Sequence, residues 1–156
     1  MLIYAASPID KSPSLDDLWV SHLAAELHKQ GTDIGRHAVI YDPSHTFSVI
    51  GYPLSQPVAH KLVSVNEAVL LICDVLVVRY LNGIESWGVP MELDLAHRHL
   101  KPILAVTASL EMKRVALNSI YFAARVPPAN IHIDLESLAS HLWRLTSYDN
   151  PMEKAT

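Results

Sequence analysis

The segment Asp74-Val75-Leu76-Val77-Val78-Arg79-Tyr80 constrains this chain more than any other. In a strand covered on one side only, apolar and polar residues alternate, because successive side chains point to opposite faces. Here four consecutive aliphatic residues break that alternation, and Val75, Val77 and Val78 are β-branched. Such a run needs cover on both faces, which is the setting of a central parallel strand. Parallel pairing in turn needs long crossover connections, usually helices, so helical segments are expected on either side of it.

The rest of the chain supplies them. Leu2-Ile3-Tyr4-Ala5-Ala6 reads as a buried first strand that stops at Ser7-Pro8. Ser14 then caps a helix with Asp16 and Asp17 in its first turn, Leu15, Leu18, Trp19, Leu23 and Leu27 at helical spacing, and Gly31 as its end. His37 to Tyr41 is a second strand, left through Asp42-Pro43-Ser44-His45 into a loop that reaches Pro57. A helix from Val58 to Ile72 leads into the third strand, and Pro90 fits the first turn of the next helix, which carries Glu92. Pro102 to Val106 is a fourth strand, Leu110 to Ala124 a helix, Ile131 to Ile133 a fifth strand, and Leu135 to Leu145 a last helix.

This alternation predicts one α/β domain over residues 1–146, a doubly wound five-stranded parallel sheet of Rossmann-like, flavodoxin-like order 2-1-3-4-5, with a polar tail over 147–156. In that order a ligand binds beyond the carboxyl ends of the first and third strands. Ser7 and the segment from Asn82 to Gly88 would meet there.

Composition narrows the function. A net charge of −4 without a Lys/Arg cluster argues against nucleic acid and for a small-molecule partner. With 50% hydrophobic and 18% charged residues the chain is rich enough in apolar surface for a homodimer or higher homo-oligomer to be expected. Cys73 stands alone and cannot form an internal disulfide, no basic region precedes the first apolar stretch, and no apolar run approaches a membrane span. A soluble, cytoplasmic protein is expected. The nine histidines do not group at ligand spacing, so neither a metal nor a cofactor is expected. Gly-x-Gly-x-x-Gly, P-loop and Gly-x-Ser-x-Gly patterns are absent from the sequence.

Glu92 follows Gly88 and Pro90 closely enough to be expected in the first turn of its helix. Unpaired backbone N–H groups and the helix dipole would keep a carboxylate ionised there near neutral pH. An ionised carboxylate at this point of the sheet suits attack on an oxocarbenium-like sugar carbon, although a first-turn glutamate also serves simply to satisfy its own helix end.

Ile3-Tyr4-Ala5-Ala6-Ser7-Pro8, then Asn66 ahead of Cys73-Asp74-Val75-Leu76-Val77-Val78, then Ser86-Trp87-Gly88-Val89-Pro90-Met91-Glu92-Leu93, then Lys101-Pro102-Ile103 arrive in one order. Together they resemble the nucleoside 2-deoxyribosyltransferase superfamily, over roughly residues 1–106. Within it the likeness is to a branch of small uncharacterised bacterial and phage proteins and to the 2'-deoxynucleoside 5'-phosphate N-hydrolases.

The resemblance implies an enzyme that cleaves an N-glycosidic bond of a nucleoside or nucleoside 5'-monophosphate, by hydrolysis or deoxyribosyl transfer. It implies Glu92 as the nucleophile and Tyr4 as the tyrosine that orients it, with Ala6 and Ser7 on the substrate side of the first strand. Ser86 stands where transferases carry an aspartate for the free 5'-hydroxyl and the monophosphate hydrolases carry a serine for the phosphate; with the Gly88 backbone it would face that end of the substrate. The hydrolases' arginine after Ser7 is Ile9 here, with Lys11 as a substitute. Asn66 departs further, because the family usually has an aspartate there, and an amide cannot act as acid or base. His45 is either a base-contacting proton donor or an exposed loop histidine, and Asn118 is either a residue lent to a neighbouring subunit's site or a helix-surface amide. Asn66 and Ile9 also leave open a nucleotide-binding or sensing module without chemistry.

Overall fold

Val75, Leu76, Val77 and Val78 are all buried, and they divide between two cores. The computed structural model describes residues 1–7, 18–32, 35–44, 55–80 and 88–147. Strands β1 (Leu2–Ala6), β2 (Val39–Tyr41), β3 (Val75–Arg79), β4 (Ile103–Val106) and β5 (Ile131–His132) form one parallel sheet in the order β2-β1-β3-β4-β5. The helices are α1 (Trp19–Thr32), α2 (Gln56–Ile72), α3 (Gly88–Arg98), α4 (Leu110–Asn118), α5 (Ile120–Ala123) and α6 (Leu135–Ser147). No described helix is long and apolar enough to cross a membrane.

Alternation along the strands decides which side chain meets which helix. Tyr4, Ala6, Leu76, Val78, Ile103 and Ala105 face Leu70 of α2, Leu93 and Ala96 of α3, Ala116 of α4 and Phe122 of α5. Ile3, Ala5, Val75, Val77, Leu104 and Val106 face Trp19, Leu23 and Leu27 of α1 and Leu138, Leu142 and Trp143 of α6. Each fully buried aliphatic side chain contributes about 1.5–3 kcal/mol, so the β3 run alone anchors both layers. Cys73 belongs to the first core, where burial pushes its thiol up to about 11 and leaves it a small apolar filler.

One helix ends where the sequence places its end, and another differs from the reading of the sequence. Gly31 is the last residue but one of α1, as its place at the end of the pattern predicts, but it is buried, and a Cβ there would meet the Arg36 carbonyl oxygen and the Trp143 ring, each at 2.7 Å. The left-handed residue that turns the chain afterwards is Gly35, at φ +64°. The segment from Leu110 to Ala124 is two helices rather than one: Ser119 separates them, its hydroxyl accepting from Phe122 N to start α5. The predicted cap Ser14 lies outside the described residues.

Candidate active site

The site grows from the register of β1 on β2. Tyr4 and Tyr41 are directly paired residues of these parallel strands, so both rings stand on the same face of the sheet, 5.4 Å apart between centroids and tilted by 43°. Over that face run α2 and α3, and each presents one polar side chain to one tyrosine. The Tyr4 hydroxyl donates to Glu92 Oε1 at 2.6 Å, and the Tyr41 hydroxyl donates to Asn66 Oδ1 at 2.7 Å.

Glu92 lies just past the first turn of its helix, not within it as expected. α3 begins at Gly88 and has no acidic residue in its first turn, so the unpaired N–H groups at the helix end do not reach the carboxylate. The expectation of a carboxyl held ionised by the helix end is therefore corrected. Burial raises its proton affinity above the ordinary carboxylate range, and the Tyr4 hydrogen bond pulls it part of the way back. Tyr4 itself is fully buried, and burial together with the neighbouring Glu92 carboxylate pushes its hydroxyl upward, so it remains a protonated donor. Among the described residues, Glu92 Oε2 and Asn66 Nδ2 have no hydrogen-bond partner. The arrangement offers one fixed carboxyl oxygen, one open carboxyl oxygen and one open amide donor.

The helix that carries Glu92 is held from a second side. Tyr121 of α5 donates its hydroxyl to the Pro90 carbonyl at 2.6 Å, and Arg125 stacks 3.7 Å over the Tyr121 ring while its guanidinium reaches Asp94 at 2.8 Å. Arg125 and Arg98 hold the Asp94 carboxyl below its usual range, with the Arg125 hydrogen bond the larger cause. Asp94 also pairs with Arg98 at 2.9 Å along the helix.

Of the other residues singled out from sequence, Ala6 is buried at the carboxyl end of β1, paired with Val78, and Ser7 follows it half-buried. Gly88 opens α3 with nothing within 4 Å of a Cβ built on it, so its backbone is accessible and packing does not require glycine. Asn118 ends α4 exposed, and no hydrogen bond ties it to Tyr4, Asn66 or Glu92. Ile9, Lys11, His45 and Ser86 lie outside the described residues, as does the 82–87 segment expected to meet Ser7. Among the described residues no three His, Cys, Asp or Glu side chains converge as metal ligands. Sequence reasoning missed Tyr41 altogether; the available signal was its place at the last residue of a strand beside the one carrying Tyr4.

No protein-family model matches the chain, and no curated protein matches it in sequence. Among solved structures, a conserved protein from Enterococcus faecalis V583 is similar over 92% of this chain and 98% of its own, at 16% identity and a TM-score of 0.58. A 2-deoxyribosyltransferase from the psychrotolerant bacterium Bacillus psychrosaccharolyticus is similar over 70% of this chain and 74% of its own, at 14% identity and a TM-score of 0.52. Sheet order, helix layers and these likenesses agree: the chain has the fold of a nucleoside 2-deoxyribosyltransferase.

Proposed function

We propose that this protein cleaves the N-glycosidic bond of a nucleoside or nucleoside 5'-monophosphate, with Glu92 as nucleophile. The reading is carried by the 2.6 Å hydrogen bond from Tyr4 to Glu92 Oε1 beside an Oε2 with no partner among the described residues. Fixing one oxygen orients the carboxylate, and the other is left to bond the sugar's anomeric carbon as the bond to the base breaks. Water then cleaves the glycosyl ester, or a second base takes the sugar. Asn66 Nδ2 is assigned to the sugar, and Ser7, Ser86 and the backbone at Gly88 and Ala6 are assigned to its 5' end. Because an amide cannot supply the proton that the departing base needs, His45 is assigned that role. Asn118 is assigned to the site of a second subunit in a homo-oligomer.

The fold itself supports the reading only at the level of architecture, since one fold hosts many activities. The second reading, a module that binds a nucleotide and leaves it intact, is favoured by one observation, the amide at position 66. Incubation with deoxy- and ribonucleosides and their 5'-monophosphates, followed by chromatography for free base, separates the two. Release is expected for at least one substrate, and Glu92→Ala is expected to lower it by a factor on the order of 10³. Binding without release from any substrate supports the second reading, and release unchanged in Glu92→Ala removes the nucleophile. Adding an acceptor base distinguishes transfer from hydrolysis.

A further inference from the structure

Two tyrosines do the same thing to two different side chains. Tyr4 and Tyr41 are register partners on adjacent parallel strands, each ends in a hydroxyl, and each hydroxyl donates to one polar side chain of the helix above it. For Glu92 the result is one occupied oxygen and one open oxygen. For Asn66 the two ends of the amide differ, since the oxygen accepts and the nitrogen donates. With Oδ1 engaged by the Tyr41 hydroxyl at 2.7 Å, the group the amide turns away from Tyr41 is Nδ2, a donor only. A phenol accepts as well as donates, so what the contact fixes is the position of the amide, and without it the amide can swing out of reach.

We propose that Tyr41 is a positioning residue for the reaction: it locks the Asn66 amide so that Nδ2 donates to an oxygen of the bound sugar while Glu92 attacks the anomeric carbon. This rests on the glycosidase reading above. On this assignment Asn66 is a held donor rather than a failed acid. A sugar hydroxyl that accepts from Nδ2 keeps its own proton to donate elsewhere, whereas one facing a carboxylate must give its proton to that carboxylate. Position 66 thereby selects the direction of a hydrogen bond, and Tyr41 holds the amide that makes it.

A double-mutant cycle tests it, using Tyr41→Phe, Asn66→Ala and the double variant, with kcat/KM for base release as the readout and thermal melting as the check on folding. Loss of one oriented hydrogen bond is expected to lower kcat/KM about tenfold in Tyr41→Phe. The double variant is expected to be no slower than Asn66→Ala alone, since nothing remains for the hydroxyl to hold. A second variant reads the same contact through pH. In Asn66→Asp the hydroxyl would hydrogen-bond and stabilise a carboxylate, so adding Tyr41→Phe is expected to move that variant's acid limb to higher pH. A Tyr41→Phe variant as active as wild type overturns the proposal. So does a loss that is as large on the Asn66→Ala background, or an acid limb in Asn66→Asp that does not respond. A wild type that releases no base from any substrate overturns the glycosidase reading and this role with it, while an active wild type with an uncoupled cycle overturns this role alone.

Discussion

The proposed attack by Glu92 requires an ionised carboxylate, yet burial raises its proton affinity, and the Tyr4 hydroxyl opposes that rise. The hydrogen bond stabilises the charged form, so removing it has a definite sign. In Tyr4→Phe the carboxyl binds its proton more tightly, and the acid limb of kcat against pH is expected to shift upward. The loss of a charged hydrogen bond, about 1.5–3 kcal/mol, lowers the plateau rate by roughly 10- to 100-fold. A pH–rate profile of the two proteins checks both; an unmoved acid limb would show that Glu92 does not limit the rate. At this scale the sequence made Tyr4 and Glu92 legible through their motifs, and left Tyr41 illegible. A hydrogen bond between Tyr41 and Asn66 depends on strand register and on the helix above, and neither is written in the identity of either residue. The place of Glu92 just past the first turn of α3 was likewise not legible, because Pro90 fits any position of the first turn.

At the scale of elements, Gly31 shows tertiary packing adding to a local signal. A glycine after an amphipathic run reads as a helix end, and α1 does end beside it at Thr32, but only a residue without a Cβ lets the helix approach the Arg36 backbone and the Trp143 ring of α6. Helix propensity favours alanine over glycine there by about 1 kcal/mol, while overpacking costs about 1–3 kcal/mol. The nearest obstacles are a backbone carbonyl and a large ring held in the core, so the cost should win. Gly31→Ala is expected to lower the urea midpoint without changing the m-value; a raised midpoint would mean that α6 moves aside at little cost. Strands and their order were legible because the aliphatic run of β3 requires cover on two faces and helices to provide it. The division at Ser119 was not, since only the folded chain shows that Tyr121 must turn back to the Pro90 carbonyl.

Across the whole molecule, the sheet's two edges carry polar arrangements of opposite kinds. At β5, His132 Nε2 lies 3.0 Å from His141 Nδ1 of α6, and its other nitrogen lies 3.2 Å from Ser137 Oγ. Burial first, and then the neighbouring His141, hold His132 down to about 4, and burial also lowers His141. A histidine whose folded value lies below its ordinary 6.5 binds protons more readily in the unfolded chain, so its contribution to stability is present above that value and is lost as pH falls toward 4. His132 is only half-buried, and after solvent screening the loss is about 1–2 kcal/mol. Melting temperatures between pH 7 and pH 4.5 should fall less steeply in His132→Gln than in the wild type; parallel slopes would assign the acid loss to other groups. At β2 the arrangement is mechanical. This strand is three residues long and, among the described residues, lies on the rim and pairs with β1 alone. Local opening of such an edge breaks a few backbone bonds, whereas displacing Tyr4 means opening the middle of the sheet. The site thus has a stiff half and a soft half: under the proposed function, the hold of Tyr41 on Asn66 could loosen and re-form at the rim without disturbing the Tyr4–Glu92 contact.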